Sequence, residues 1–110
     1  MDERETLLAL ADRCERERPG EDLDYAIGQT LPVVVGRPRM RHYTTSLDAA
    51  VALVPEGCAW EVARSISYVD RAVVYGHDLH FDTEGSAPAL ALCAASLRAR
   101  AAMVKESQHG

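Results

Sequence analysis

The apolar residues in the first third of the chain recur at helical spacing. They predict one helix over positions 3–18 and a short second helix over positions 21–30. Pro19 and Gly20 separate the two, because neither residue favours the continuation of a helix. The predicted apolar faces consist of Leu7, Ala11, Cys14, Leu23, Ala26 and Ile27. Each helix therefore has one side available for a core.

Two further helices are predicted later in the chain. Ser46 is a suitable N-cap, because its hydroxyl can accept from a backbone N–H of the first turn, and Pro55 to Gly57 end that helix. Pro88 lies in the first turn of the last helix, where a missing N–H is harmless, and Ser86 is expected to cap it. The predicted inner faces are Leu47, Ala50, Val51 and Val54 in one helix, and Leu90, Cys93, Ala94, Leu97, Ala101 and Val104 in the other.

Alternating patterns between these helices predict three strands. In "CAWEVARSI", Trp60, Val62 and Ile66 share one parity, "RAVVY" forms a second strand, and "DLHFD" forms a third. The last two strands join through Gly76 and His77. Short connections between consecutive strands favour antiparallel pairing. The earlier segment "LPVVVGRPRMRHYTT" is instead predicted to be an irregular connection with one short extended piece, because proline and glycine interrupt it.

The predicted order is α-α-α-β-β-β-α, which indicates an α+β fold. We expect a small antiparallel sheet of about three strands packed with three to four helices in a sandwich-like arrangement. The chain has 110 residues, enough for a single domain over residues 1–110 with its own core.

Composition and charge exclude several classes of protein. The formal net charge of −5 argues against a general nucleic-acid binder. No apolar run approaches the ~20 residues that cross a bilayer, and "MDERETLLAL" does not resemble a signal peptide, so we expect a cytoplasmic protein without membrane contact. Cys14, Cys58 and Cys93 are odd in number and far apart, which predicts buried thiols and neither a disulfide framework nor a zinc knuckle. We predict no cofactor.

The stretch "YGHDLHFDTEG" contains the strongest candidates for metal ligands. Asp78, His80 and Asp82 would share one face of a strand, and His77 lies beside them. Imidazole and carboxylate groups suit zinc, manganese or iron. The same spacing is typical of an amphipathic strand with Leu79 and Phe81 inward and the charged residues outward, and we favour this interpretation.

A row of arginines is the second cluster. Arg37, Arg39 and Arg41 alternate and would line one face of an extended segment, where they could contact phosphates or an acidic protein. Charge on a sheet edge also prevents unwanted strand pairing, which is the simpler explanation. Tyr43 follows the row and is either an interaction residue or a hydrophobic staple before the helix capped by Ser46.

The stretches "RHYTTSLDAAVALVPEGCAWEV" and "SAPALALCAASLRARAAM", with "LDYAI" before them, resemble the phage alpha-beta-alpha sandwich domain, a family of small phage and prophage proteins. The resemblance extends over about two thirds of the chain, and its most specific parts are packing and capping motifs. Two positions differ from the family pattern: Cys58 stands where an aromatic is usual, and Ala87 replaces a threonine, which moves the expected cap to Ser86. The resemblance implies a fold and a phage setting, and it implies no catalytic residues.

These observations favour a non-enzymatic phage-type accessory protein that binds a host or phage protein. The most specific form of this hypothesis is an inhibitor of a host defence system, such as an anti-CRISPR protein. The alternative is a metal-dependent enzyme using His77, Asp78, His80 and Asp82, and a third hypothesis is a weak nucleic-acid module using the arginine row. We expect the partner surface to lie in residues 36–43 and 75–85. Its predicted members are Arg37, Arg39, Arg41, Tyr43 and Tyr75.

Overall fold

The computed structural model describes residues 2–30, 42–64 and 69–104. Within them the elements follow the predicted order and form a mixed α+β fold. The elements are α1 (Glu3–Arg16), α2 (Glu21–Thr30), α3 (Leu47–Val51), β1 (Ala59–Arg64), β2 (Asp70–Gly76), β3 (Leu79–Gly85) and α4 (Pro88–Met103). The short extended piece predicted within residues 31–41 lies outside the described residues.

The helix starts follow local hydrogen bonding. Asp2 begins α1 with a capping box, in which its side chain accepts from the Glu5 N–H and the Glu5 side chain accepts from the Asp2 N–H. Ser46 caps α3 as predicted, because its side chain accepts from the Ala49 N–H. The prediction that Ser86 caps α4 is wrong. Ala87 occupies the N-cap without a side-chain hydrogen bond, and the Ser86 hydroxyl donates to the Glu17 carbonyl 3.3 Å away.

The sheet is antiparallel with β2 in the centre, between β1 and β3. A two-residue turn joins β2 to β3, and both of its residues, His77 and Asp78, have positive φ values of 53° and 64°. Turns of this hand match the right-handed twist of the strands that they connect. Asp78 therefore belongs to the turn, and the predicted third strand begins one residue later, at Leu79.

Helix α4 is the central layer of the protein. One side of it packs on β2 and β3, and the other side packs on α1 and α3. The sequence predicted one buried face, but α4 is buried on nearly every side, as expected for a helix between two layers. Alanine occupies seven of its sixteen positions, which lets both layers approach closely.

The contact between α4 and β3 is especially close at Ala91. The Thr83 hydroxyl donates to the Ala91 carbonyl at 2.7 Å. A Cβ atom added at Gly85 would lie only 2.8 Å from the Ala91 nitrogen, so this strand position requires glycine. On the same helix the Ser96 hydroxyl is buried, and no hydrogen-bond partner is found for it among the described residues.

A buried carboxylate ties α2 to the segment that precedes α3. Asp24 Oδ1 accepts from both the backbone N–H and the hydroxyl of Thr44, each at 2.8 Å. Both residues are fully buried, so these hydrogen bonds compensate for the desolvation of the carboxylate.

In the described part of the chain, no helix is long and apolar enough to cross a membrane.

Candidate functional site

The outer face of the sheet is the side turned away from α4. Alternate residues of each strand point to it, and most of them are exposed. The register places them in three cross-strand rows. The rows are Ala59–Tyr75–His80, Glu61–Val73–Asp82 and Ala63–Arg71–Glu84. We call these nine residues the outer sheet face.

Tyr75 is the main aromatic residue of the outer sheet face, and 38% of it is exposed. Its hydroxyl donates to Glu61 Oε2 at 3.2 Å, and its ring stacks on His80 with ring centroids 6.4 Å apart. The carboxylate of Glu61 raises the pKa of the Tyr75 hydroxyl above its ordinary value, so the phenol stays protonated at neutral pH. The ring is therefore held in one orientation by neighbours on both sides.

An ion pair lies beside this aromatic pair. Arg71 Nη2 is 2.6 Å from Asp82 Oδ2, and a second hydrogen bond joins Arg71 Nε to Asp82 Oδ1 at 3.2 Å. The hydrogen-bonded Asp82 carboxylate raises the pKa of Arg71, which keeps the guanidinium charged. The surface thus combines an ordered aromatic patch with fixed charges of both signs.

The four candidate metal ligands are divided by this geometry. His80 and Asp82 lie on the outer sheet face, with Leu79 and Phe81 on the inner side, as an amphipathic strand predicts. Asp78 lies in the turn, and the His77 ring lies 3.1 Å from the Glu56 carbonyl. No group of three or more His, Cys, Asp or Glu side chains suited to a metal ion is found in residues 2–30, 42–64 and 69–104.

A chelator provides a direct test of the metal-enzyme alternative. Since the four candidate ligands are divided, we expect the melting temperature of purified protein to stay unchanged when a chelator is added. The test is sensitive, because a tightly bound ion raises the melting temperature by mass action, and its removal would lower it. Thermal denaturation with and without the chelator measures this. A clear fall in the melting temperature that is absent from a His80→Ala variant would instead identify a metal site in the hairpin.

The predicted partner residues have different placements. Tyr75 lies on the outer sheet face, and Arg37, Arg39 and Arg41 lie outside the described residues. Tyr43 was predicted to belong to the partner surface, but only 6% of this residue is exposed, and it belongs to the core. A partner could not reach it without opening the fold. Its backbone carbonyl accepts from the Cys93 thiol at 3.2 Å.

The thiols of α1 and α4 lie in the same core. Cys14 and Cys93 are fully buried. A hydrogen bond with Cys14, together with burial, raises the pKa of the Cys93 thiol far above its ordinary value. A reactive cysteine needs a thiolate, so this environment is unsuitable for a nucleophile. The prediction that these two residues act as small hydrophobic groups is confirmed.

Two features of strand β1 do not follow from the sequence pattern alone. Glu61 alternates with the apolar residues of β1, but its link to Tyr75 depends on the pairing of β1 with β2. Trp60 and Val62 share the parity that faces α4, yet Trp60 is 37% exposed and Val62 is only partly buried. The reason is that α4 lies over β2 and β3 and overlaps β1 much less.

The fold and this surface define a small α+β protein with one open sheet face. Comparison with protein-family models, with curated proteins and with solved structures finds no match to this chain.

Proposed function

We propose that this protein acts by binding another protein and performs no catalysis. The observation that carries the proposal is the ordered aromatic patch of Tyr75, His80 and Glu61 on the outer sheet face. Tyrosine is enriched at interface hot spots because it combines a large contact area with a directed hydrogen bond. Since the ring is already held by its neighbours, binding would immobilise little additional side-chain freedom.

The setting that we propose is a phage or prophage, with the protein acting in the cytoplasm of the host cell. Support comes from the resemblance of residues 41–62 and 86–103 to small phage proteins. Within that setting, the partner is a component of a host defence system, and the protein inhibits it by contact, as an anti-CRISPR protein does. This step is an inference from the class of protein, because the aromatic patch by itself names no partner.

The proposal predicts that Tyr75→Ala weakens partner binding and leaves the fold intact. Loss of a hot-spot tyrosine typically lowers the binding free energy by about 2 kcal/mol or more, which is roughly a 30-fold loss of affinity. The partner is first captured from host-cell lysate with tagged protein and identified by mass spectrometry. Its affinity for wild type and variant is then measured by calorimetry, with thermal denaturation of each protein alongside.

Tyr25→Ala is the matched control. Tyr25 is 57% exposed and lies on α2, which packs on α1 on the far side of α4 from the sheet. The control removes the same kind of ring from the helical layer, so its affinity should equal that of wild type. Equal affinities for all three proteins would eliminate the outer sheet face as the binding surface.

A further inference from the structure

Strand β1 lies at one edge of the three-stranded sheet. In the described part of the chain it pairs with β2 on one side, and no strand pairs with its other side. Five of its six residues are exposed. Alternate residues of an edge strand direct backbone N–H and C=O groups away from the sheet, which makes the edge a template for another strand.

The inner side of β1 is also incompletely covered. Trp60 and Val62 lie on the same side of the sheet as α4, but α4 packs mainly on β2 and β3. An exposed indole beside a partly exposed valine leaves an apolar strip along the edge. Among the described residues, α4 covers β1 much less than β2 and β3, so this helix does not block a further strand from pairing with β1.

We infer that this edge binds a second copy of the same chain, with the two β1 strands antiparallel in one continuous sheet of six strands. This inference does not depend on the proposed function, because the pairing uses the backbone of the edge strand. Glu61 and Ala63 of the outer sheet face would lie beside the second copy, and the face itself would stay uncovered. A two-fold axis makes such an interface self-complementary: every contact of one copy is repeated by the other.

The side chains favour the register in which the axis passes through Val62. Val62 then faces Val62 of the second copy, and Trp60 faces Arg64 of the second copy on the same side of the sheet. A guanidinium near an indole face is attractive, and symmetry supplies the contact twice. Arg64 keeps its own partner in this arrangement, since its Nε atom lies 3.0 Å from Asp70 Oδ1 within each copy.

The charges on the outer side agree with this register. Ala63 faces Glu61 of the second copy, and Arg71 lies next to Ala63 on β2. The row across the interface therefore has Arg71 and the second copy's Glu61 about 10 Å apart, two strand spacings, with only a methyl group between them. A register centred on Glu61 would place two like charges face to face, which is unfavourable. Registers centred between two residues would put the apolar side of one copy beside the charged side of the other.

Ala63 allows a test with opposite expected signs. Ala63→Glu places a second carboxylate opposite Glu61 of the other copy, and Ala63→Lys places an ammonium there. Each cross-strand charge pair occurs twice, so the dimer dissociation constant should rise by roughly 2- to 30-fold for Ala63→Glu and fall by a similar factor for Ala63→Lys. Sedimentation velocity from low micromolar to millimolar concentration measures both constants.

Folding of the single chain should respond in the opposite sense. Within one copy Ala63 faces Arg71, so Glu at this position is favourable and Lys is unfavourable. Thermal denaturation of dilute, monomeric protein separates this effect from dimerisation. Ala9→Glu and Ala9→Lys, at an exposed site on α1, control for the change in net charge.

Three outcomes decide the matter. A reversible dimer that Ala63→Glu weakens and Ala63→Lys strengthens, with the Ala9 variants like wild type, supports the pairing of β1 with β1. A wild-type chain that is monomeric at every concentration overturns it and would leave the edge to a strand from another protein. A dimer that both Ala63 variants affect equally, or that neither affects, also overturns it, because the two copies would then meet elsewhere.

Discussion

Leu97→Ala should lower the free energy of unfolding by about 2–5 kcal/mol, the range found for deletion of a buried leucine side chain. Leu97 is fully buried in α4, and this helix lies between the sheet and α1. A cavity in the middle layer would remove contacts that join both halves of the protein. Neither layer can close the gap without moving against the other. Urea titration of wild type and variant measures the loss.

Arg98→Ala is the matched control, one position along the same helix. Arg98 pairs with Glu15 of α1, and about 30% of each side chain is exposed. An ion pair with this much access to water contributes at most about 1 kcal/mol. The control should therefore lose much less stability than Leu97→Ala. Equal losses from the two substitutions would mean that the helix is rotated about its axis relative to the described structure.

Local sequence signals predicted the elements well. The bounds of α2 agree with the prediction, and the Ser46 cap is confirmed. The β2–β3 turn, His77 and Asp78, lies one residue after the predicted Gly76–His77 join. Each of these depends on a few neighbouring residues, such as an N-cap hydroxyl or the change from helical to alternating spacing. The class and order of elements follow from the same signals.

The layers could not be predicted in the same way. The spacing of Leu90 and Leu97 indicates one buried face, but burial of the opposite side of α4 depends on where α1 and the sheet lie. The exposed state of Trp60 has the same cause, since strand parity identifies the inner side but not how far a helix covers it. Abundant alanine in α4 was the available sign of close packing on several sides.

The buried Asp24 was missed although a signal was present. Asp24 lies beside Leu23 and three residues before Ile27, on the apolar stripe of α2. A charged residue on such a stripe indicates a buried hydrogen-bonding role, which Thr44 supplies. The partner is twenty residues away, so spacing alone could not identify it.

Tyr43→Ala should lower the free energy of unfolding by about 3–5 kcal/mol, as for other large buried rings. Two neighbouring contacts hold this segment against the core: the Tyr43 carbonyl accepts from Cys93 of α4, and Thr44 donates to Asp24 of α2. Loss of the ring would therefore loosen the point where α2, α4 and the start of α3 meet. Tyr43→Phe keeps the ring and removes only the hydroxyl, so its loss should be limited to about 0.5–1.5 kcal/mol.

The hypothesis that Tyr43 belongs to the partner surface makes the opposite prediction for Tyr43→Ala. A tyrosine that serves a partner surface can be removed without loss of stability, and only binding would suffer. Urea titrations of Tyr43→Ala, Tyr43→Phe and wild type therefore distinguish the two roles before any partner is known. If Tyr43→Ala unfolds at the same urea concentration as wild type, the ring is not part of the core, and the predicted surface would regain this residue. If its midpoint falls sharply while Tyr43→Phe stays close to wild type, the ring belongs to the fold, and a loss of partner binding by Tyr43→Ala would reflect unfolding.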